Sequence, residues 1–163
     1  MLSLLCFCGL RRGELLGVRF VDVDLERKIL LVNGATSKSG RDRKLPIQDF
    51  VLLDIEDYLQ ERLKRGIYTT PFLFASLTQD RGLSKNGLKH WVERLNNLSK
   101  VKFHLHQFRH TFASNLAAER VTAPVLQRLM GHTDLRMTDK YLRSLDAEDL
   151  RPAANSLSFD KMR

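Results

Sequence analysis

Leu129-Met130-Gly131-His132-Thr133-Asp134-Leu135-Arg136-Met137-Thr138-Asp139-Lys140-Tyr141 is the stretch on which the reading of this chain turns. It reads as a helix end, a tight turn carrying a histidine, and a new helix carrying a tyrosine. Gly131 suits a helix stop because glycine takes left-handed backbone without steric cost. Asp134 suits the next helix start, where a carboxylate accepts orphan backbone N–H groups. Tyr141 lies about two turns into that helix, roughly 10 Å along its axis. An imidazole and a phenol presented in this way can form a reaction centre or can simply pack, and the surrounding chain has to separate the two.

The 163 residues suit one domain with a sizeable core. Hydrophobic content of 43% and charged content of 28% are ordinary for a globular protein. The charge balance is not: 27 Lys+Arg against 19 Asp+Glu gives +8. Such a surplus favours an anionic partner, nucleic acid first among them, over a merely basic surface. The longest apolar run, from Leu2 to Leu10, is too short to span a membrane and lacks the basic start of a secretory signal. Cys6 and Cys8 are spaced for neither a disulfide framework nor a zinc pair, and read as buried thiols of a reducing cytoplasm.

Outward from the opening stretch, the pattern predicts a mainly helical α+β chain with one small antiparallel β-sheet. Residues 1–8 end a buried helix, and Gly9 breaks it. Residues 11–18 form a short helix with Leu15 and Val18 inward. Ile29-Leu30-Leu31-Val32 is a strand, and residues 36–46 complete the sheet as a basic hairpin tipped by Ser39-Gly40. Asp49 opens a helix with Leu52, Ile55, Leu59 and Leu63 on its inner stripe, stopped by Gly66. Residues 67–83 are mostly loop. Ser84 caps a helix with Leu88, Trp91, Val92, Leu95 and Leu98 on one face. A helix over 106–119 stacks Phe108, Phe112 and Leu116. Thr122 caps the helix that ends at Gly131, with Pro124 in its first turn. A last helix is expected over 146–154.

Four places gather polar groups that the pattern does not require. Arg11 and Arg12 follow a glycine break at a helix start, where cations oppose the helix dipole unless an anion sits beside them. Guanidinium geometry matches phosphate, although two solvated surface arginines would read the same. Glu14 can pair with either and fix its rotamer. Lys38, Arg41, Arg43 and Lys44 make a cationic hairpin able to lie along a phosphate backbone, or a solvated loop. His106, Arg109 and His110 share a helix face. The two histidines have a metalloprotease spacing, but residue 107 is glutamine where that motif needs its glutamate base. An arginine flanked by histidine suits holding an anionic oxygen and moving a proton. His90, His104 and His110 read individually as satisfied core residues. Tyr141 by itself reads as half-buried packing. Nearby cations would favour its phenolate and make it a nucleophile. Taken jointly, arginines, a lysine, histidines and a tyrosine are what metal-free phosphoryl transfer needs.

In this order and register the motifs resemble the tyrosine recombinase (phage integrase) family. Gly9-Leu10-Arg11-Arg12-Gly13-Glu14-Leu15 is similar to its first arginine box, with Arg11 as the aligned arginine. Lys38 matches its hairpin lysine. His106-Gln107-Phe108-Arg109-His110 resembles its His-x-x-Arg box, and Leu129-Met130-Gly131-His132 its Leu-Leu-Gly-His box. Tyr141 follows at the usual distance.

The resemblance implies the DNA breaking-rejoining catalytic fold over 1–145, followed by a tail over 146–163 that docks on a neighbouring subunit. It implies attack by Tyr141 on a DNA phosphodiester, giving a 3′-phosphotyrosyl bond and a free 5′-hydroxyl. Lys38 is then the acid, Arg11 and Arg109 hold the phosphate, and His106 and His132 assist. Arg12, Arg41, Arg43 and Lys44 are the expected DNA contacts. No metal or cofactor is required. The implied partner is double-stranded DNA, bound as a homotetramer on paired sites by a chain that is monomeric when free, in the cytoplasm of a bacterium or phage-infected host. The family's upstream DNA-binding domain is not part of this sequence, whose first helix starts as though clipped, so weak DNA binding is expected. Tyr141 reaches the site only if its helix folds back over the basic pocket, which leaves open whether it is docked before DNA or a neighbour orders that helix. The alternatives are a type IB topoisomerase-like relaxing enzyme, a DNA-binding module with a structural tyrosine, and a metal-dependent hydrolase.

Overall fold

The computed structural model describes residues 1–76 and 78–143. The helix expected at 146–154 lies outside the described residues. Seven helices and one three-stranded antiparallel sheet are described: α1 (Leu2–Cys8), α2 (Arg12–Gly17), β1 (Val23–Asp24), β2 (Ile29–Val32), β3 (Arg43–Pro46), α3 (Asp49–Lys64), α4 (Lys85–Ser99), α5 (Leu105–Ala118), α6 (Ala123–Met130) and α7 (Arg136–Leu142). The mainly helical α+β expectation holds. The strand order is β1-β2-β3.

Two apolar clusters divide the molecule. The larger joins Leu4, Leu5 and Cys8 of α1, Leu15 of α2, Leu30, Val32 and Leu45 of the sheet, and Val51, Leu52 and Ile55 of α3. The smaller joins Ala113 and Ala117 of α5, Leu126 and Met130 of α6, and Tyr141 of α7. Helix α1 lies against α5 so closely that a Cβ on Gly9 would stand 2.3 Å from the Phe112 ring. Gly9 also takes φ 60° as the left-handed cap of α1, so glycine is required there twice over.

The sheet differs from expectation in detail, for a reason that matters later. Residues Gly34–Thr36 form a 3-10 turn rather than strand, and pairing resumes only at Arg43, opposite Val32. Leu45 opposes the buried Leu30. Because strand side chains alternate, the inner face of β3 carries Arg43 as well as Leu45. Arg43 is 8% exposed.

Two helices bury different residues from those expected. On α3 it is Arg62, 1% exposed, that turns inward, whereas Leu63 is 58% exposed. The loop after α3 explains the exchange. Its carbonyls at Ile67, Phe72 and Leu73 need donors, and the Arg62 guanidinium supplies them while lying 4.7 Å over the Phe20 ring. On α4 only Leu88 is buried. Trp91 packs at the margin of the larger cluster, and Leu98 is 70% exposed. Ser84 caps α4 as expected, its hydroxyl accepting from the Gly87 N–H at 3.0 Å.

Helix α6 ends at Gly131, whose φ of 60° and ψ of 43° are left-handed. A Cβ there would meet the Arg43 guanidinium at 2.9–3.1 Å. Gly131→Ala should therefore lower stability by more than the roughly 1–2 kcal/mol of left-handed strain alone, because Arg43 must also move. Urea denaturation of the two proteins measures this, and a loss below that range would mean the turn rearranges freely.

Candidate active site

The C-terminal turn of α6 is where distant parts of the chain meet. Its last carbonyls have no partners within the helix, and three arginines supply them in succession. Arg43 Nε donates to Leu129 O at 3.1 Å, Arg109 Nη2 to Met130 O, and Arg11 Nη2 to Gly131 O at 3.2 Å. Arg109 Nη1 also donates to Gly9 O, which ties the caps of α1 and α6 together. Cations at a helix C-terminus are favoured by its dipole.

Glu14 holds this group of charges in place. Its oxygens accept from Arg43 Nη1 and Nη2 at 2.9 and 2.8 Å, from Arg11 Nη1 at 3.0 Å and from the Arg11 backbone N–H at 2.8 Å. Burial pushes its carboxyl upward, but the hydrogen bonds and charges of Arg43 and Arg11 override that and hold it at about 2. Ser37 Oγ donates to the same carboxylate at 3.1 Å. Through Ser37 the loop carrying exposed Lys38 is anchored beside the arginines.

His132 follows Gly131, and its Nδ1 lies 3.0 Å from Thr138 Oγ1. Thr138 is fully buried, one turn before Tyr141 on α7. Burial first, then the cations Arg109, Arg11, Lys140 and Arg43, lower His132 to about 4, so it is neutral at pH 7. Arg109, 3% exposed, is lowered by burial to about 10 and stays cationic. His106 is exposed and lowered by burial and the Arg109 charge.

Tyr141, whose position the sequence left open, is packed on the smaller cluster. It is 6% exposed in the smaller cluster. Its hydroxyl lies 2.9 Å from His110 Nδ1, and Lys140 Nζ stands 4.7 Å from its ring centroid. His106 and His110, whose spacing resembled a metal pair, meet edge-to-face with centroids 4.4 Å apart. Among the described residues no three His, Cys, Asp or Glu side chains are grouped to hold a metal ion.

Of the expected DNA contacts, Arg12, Arg41 and Lys44 are exposed. Arg43 is the exception. Expected to contact DNA, it is instead buried with its guanidinium engaged by Glu14 and Leu129 O, so it supports the site from beneath. A cleft of about 800 Å³ opens alongside, lined by Arg41, Lys44, Arg128, His132 and Thr133 among others. Thr138 carried no expected role, and His110, weighed with His106 and Arg109 on one helix face, read individually as a core residue. Each carried a usable signal: His110 is one turn from His106, and Thr138 one turn from Tyr141.

Residues 1–148 match the model of the phage integrase family. The chain is 32% identical over 145 residues to the tyrosine recombinase XerA of Pyrococcus horikoshii, covering 88% of this chain and 49% of that protein. It is 32% identical over 143 residues to a probable integrase/recombinase of Acholeplasma phage L2, covering 87% and 47%. The chain thus spans about half the length of the curated relatives it matches. Among solved structures, XerA recombinase superposes with a TM-score of 0.74 at 25% identity, over 96% of this chain and 57% of that one. The Tn1549 transposon integrase, solved in complex with circular intermediate DNA, superposes with a TM-score of 0.77 at 23% identity, over 96% and 58%. That last likeness speaks for the fold. With 148 of its 163 residues inside the family match, this chain belongs to the phage integrase family.

Proposed function

We propose that this chain is the catalytic portion of a site-specific DNA recombinase, acting on double-stranded DNA as a homotetramer on paired sites in the cytoplasm. The observation that carries this reading is the meeting of Arg11, Arg109 and His132 at one helix end, with the tyrosine helix α7 starting a few residues on. Tyr141 Oη bonds to phosphorus, and the bond from phosphorus to the 5′-oxygen breaks. Lys38 gives that oxygen its proton. Arg11 and Arg109 keep guanidinium N–H groups beyond those used on carbonyls and Glu14, and these neutralise charge growing on the phosphoryl oxygens. His132, neutral, donates one hydrogen bond. Attack by a 5′-hydroxyl from a second duplex reverses the step, and the covalent ester conserves the bond energy. The exposed Arg12, Arg41 and Lys44 contact the duplex backbone.

The test uses a pool of nicked duplexes with randomised core sequence, incubated with the protein in the presence of chelator. A denaturant-stable protein–DNA adduct is expected, and peptide mapping should place the nucleotide on Tyr141. Binding without any adduct would favour the DNA-binding module. An adduct formed only with added divalent metal would sink the reading.

A further inference from the structure

We propose that His110 is the base that takes the phenolic proton of Tyr141 as the phenol attacks, a role that rests on the reading of Tyr141 as the nucleophile. His110 Nδ1 is 2.9 Å from the hydroxyl, within reach of direct transfer. The rings are tilted by 50° with centroids 5.7 Å apart, so they meet through their polar atoms rather than by stacking. Burial first, then Lys140 from α7 and His106 and Arg109 from α5 itself, lower His110 below its ordinary value and keep it neutral. A neutral imidazole has one accepting nitrogen, and in the proposed role Nδ1 is that atom, with the Tyr141 hydroxyl donating to it. Lys140, over the Tyr141 ring, favours the phenolate that results.

The step balances. The Tyr141 O–H bond breaks, its proton passes to Nδ1, and its electron pair forms the bond to phosphorus. The departing 5′-oxygen is protonated by Lys38. On rejoining, the His110 imidazolium returns the proton to the phenolate as it leaves. His110 is only half-buried and can also exchange that proton with water.

The experiment follows single-turnover adduct formation on the nicked pool between about pH 4.5 and pH 9.5, for wild type, His110→Phe and His110→Asn. At neutral pH the variants should be about 10²-fold slower, as for loss of a general base. Their deficit should shrink as pH rises, because hydroxide then takes over the removal of the phenolic proton. The wild-type rate should fall on the acid side as His110 gains its proton, a limb absent from both variants. His110→Asn keeps the measurement available if the larger phenylalanine disturbs folding. A deficit equal at every pH would mean His110 only supports the tyrosine, and a variant as fast as wild type or faster would mean the contact is unproductive. Either outcome overturns the proposal. Absence of adduct from wild type at every pH would overturn the recombinase reading itself, which separates the two failures.

Discussion

Tyr141→Phe is expected to abolish the covalent adduct on the nicked pool, by more than ~10³-fold, with the fold and DNA binding nearly intact. The substitution removes one oxygen. Its ring stays packed with Ala113, Ala117, Leu126 and Met130, and the lost hydrogen bond to His110 costs about 1 kcal/mol. Retention of DNA on a filter should match wild type, because the exposed cations on Arg12, Arg41 and Lys44 are untouched. The other tyrosines offer no ready substitute. The Tyr58 hydroxyl accepts from the Ala75 N–H, and Tyr68 lies on the loop after α3. An adduct surviving in Tyr141→Phe would place the nucleophile elsewhere and end the assignment.

Glu14→Gln should give the largest loss of stability. The side chain is wholly buried between two guanidiniums. Breaking a buried pair by removing one charge typically costs roughly 3–5 kcal/mol, and the amide also turns a donor toward Arg43. Acid should mimic the mutation. The carboxyl titrates at about 2 in the folded chain, against an ordinary value of 4.5, so the folded state binds its proton more weakly than the unfolded state does. The resulting stabilisation, about 3 kcal/mol, is fully present above about pH 4.5 and is lost as pH falls toward about 2. Urea denaturation at pH 6 and pH 3 should therefore show wild type losing much of its margin over Glu14→Gln. An unchanged margin at the two pH values would mean the Arg43 and Arg11 bonds do not hold the carboxylate ionised.

Much of this arrangement could be read from residue types and spacing, because the physics was local. The Gly131 stop, the Ser84 cap and the strand at Ile29–Val32 depend on neighbours in sequence. Arg43 shows where charge counting misleads. It sits among Arg41, Asp42 and Lys44, which invites a solvated loop. Yet Leu45 and Ile47, both buried, already fix the alternation that sends residue 43 inward. Arg62 was beyond reach in another way, since the carbonyls that bury it come from a loop with no pattern of its own. The contact between His110 and Tyr141 spans 31 residues and exists only once α5 and α7 pack. Only the turn of helix between His106 and His110 hinted at it.

The three arginine bonds at the end of α6 have a consequence for motion. They fasten the chain at Leu129, Met130 and Gly131, while α7 starts only at Arg136. If α7 lets go of the smaller cluster, it swings on a tether of four residues, His132 to Leu135, with a span of at most about 14 Å. A short leash with one end fixed keeps its load at an effective concentration on the order of millimolar or above. The phenol can thus leave its seat to admit a duplex and still stay within reach of it.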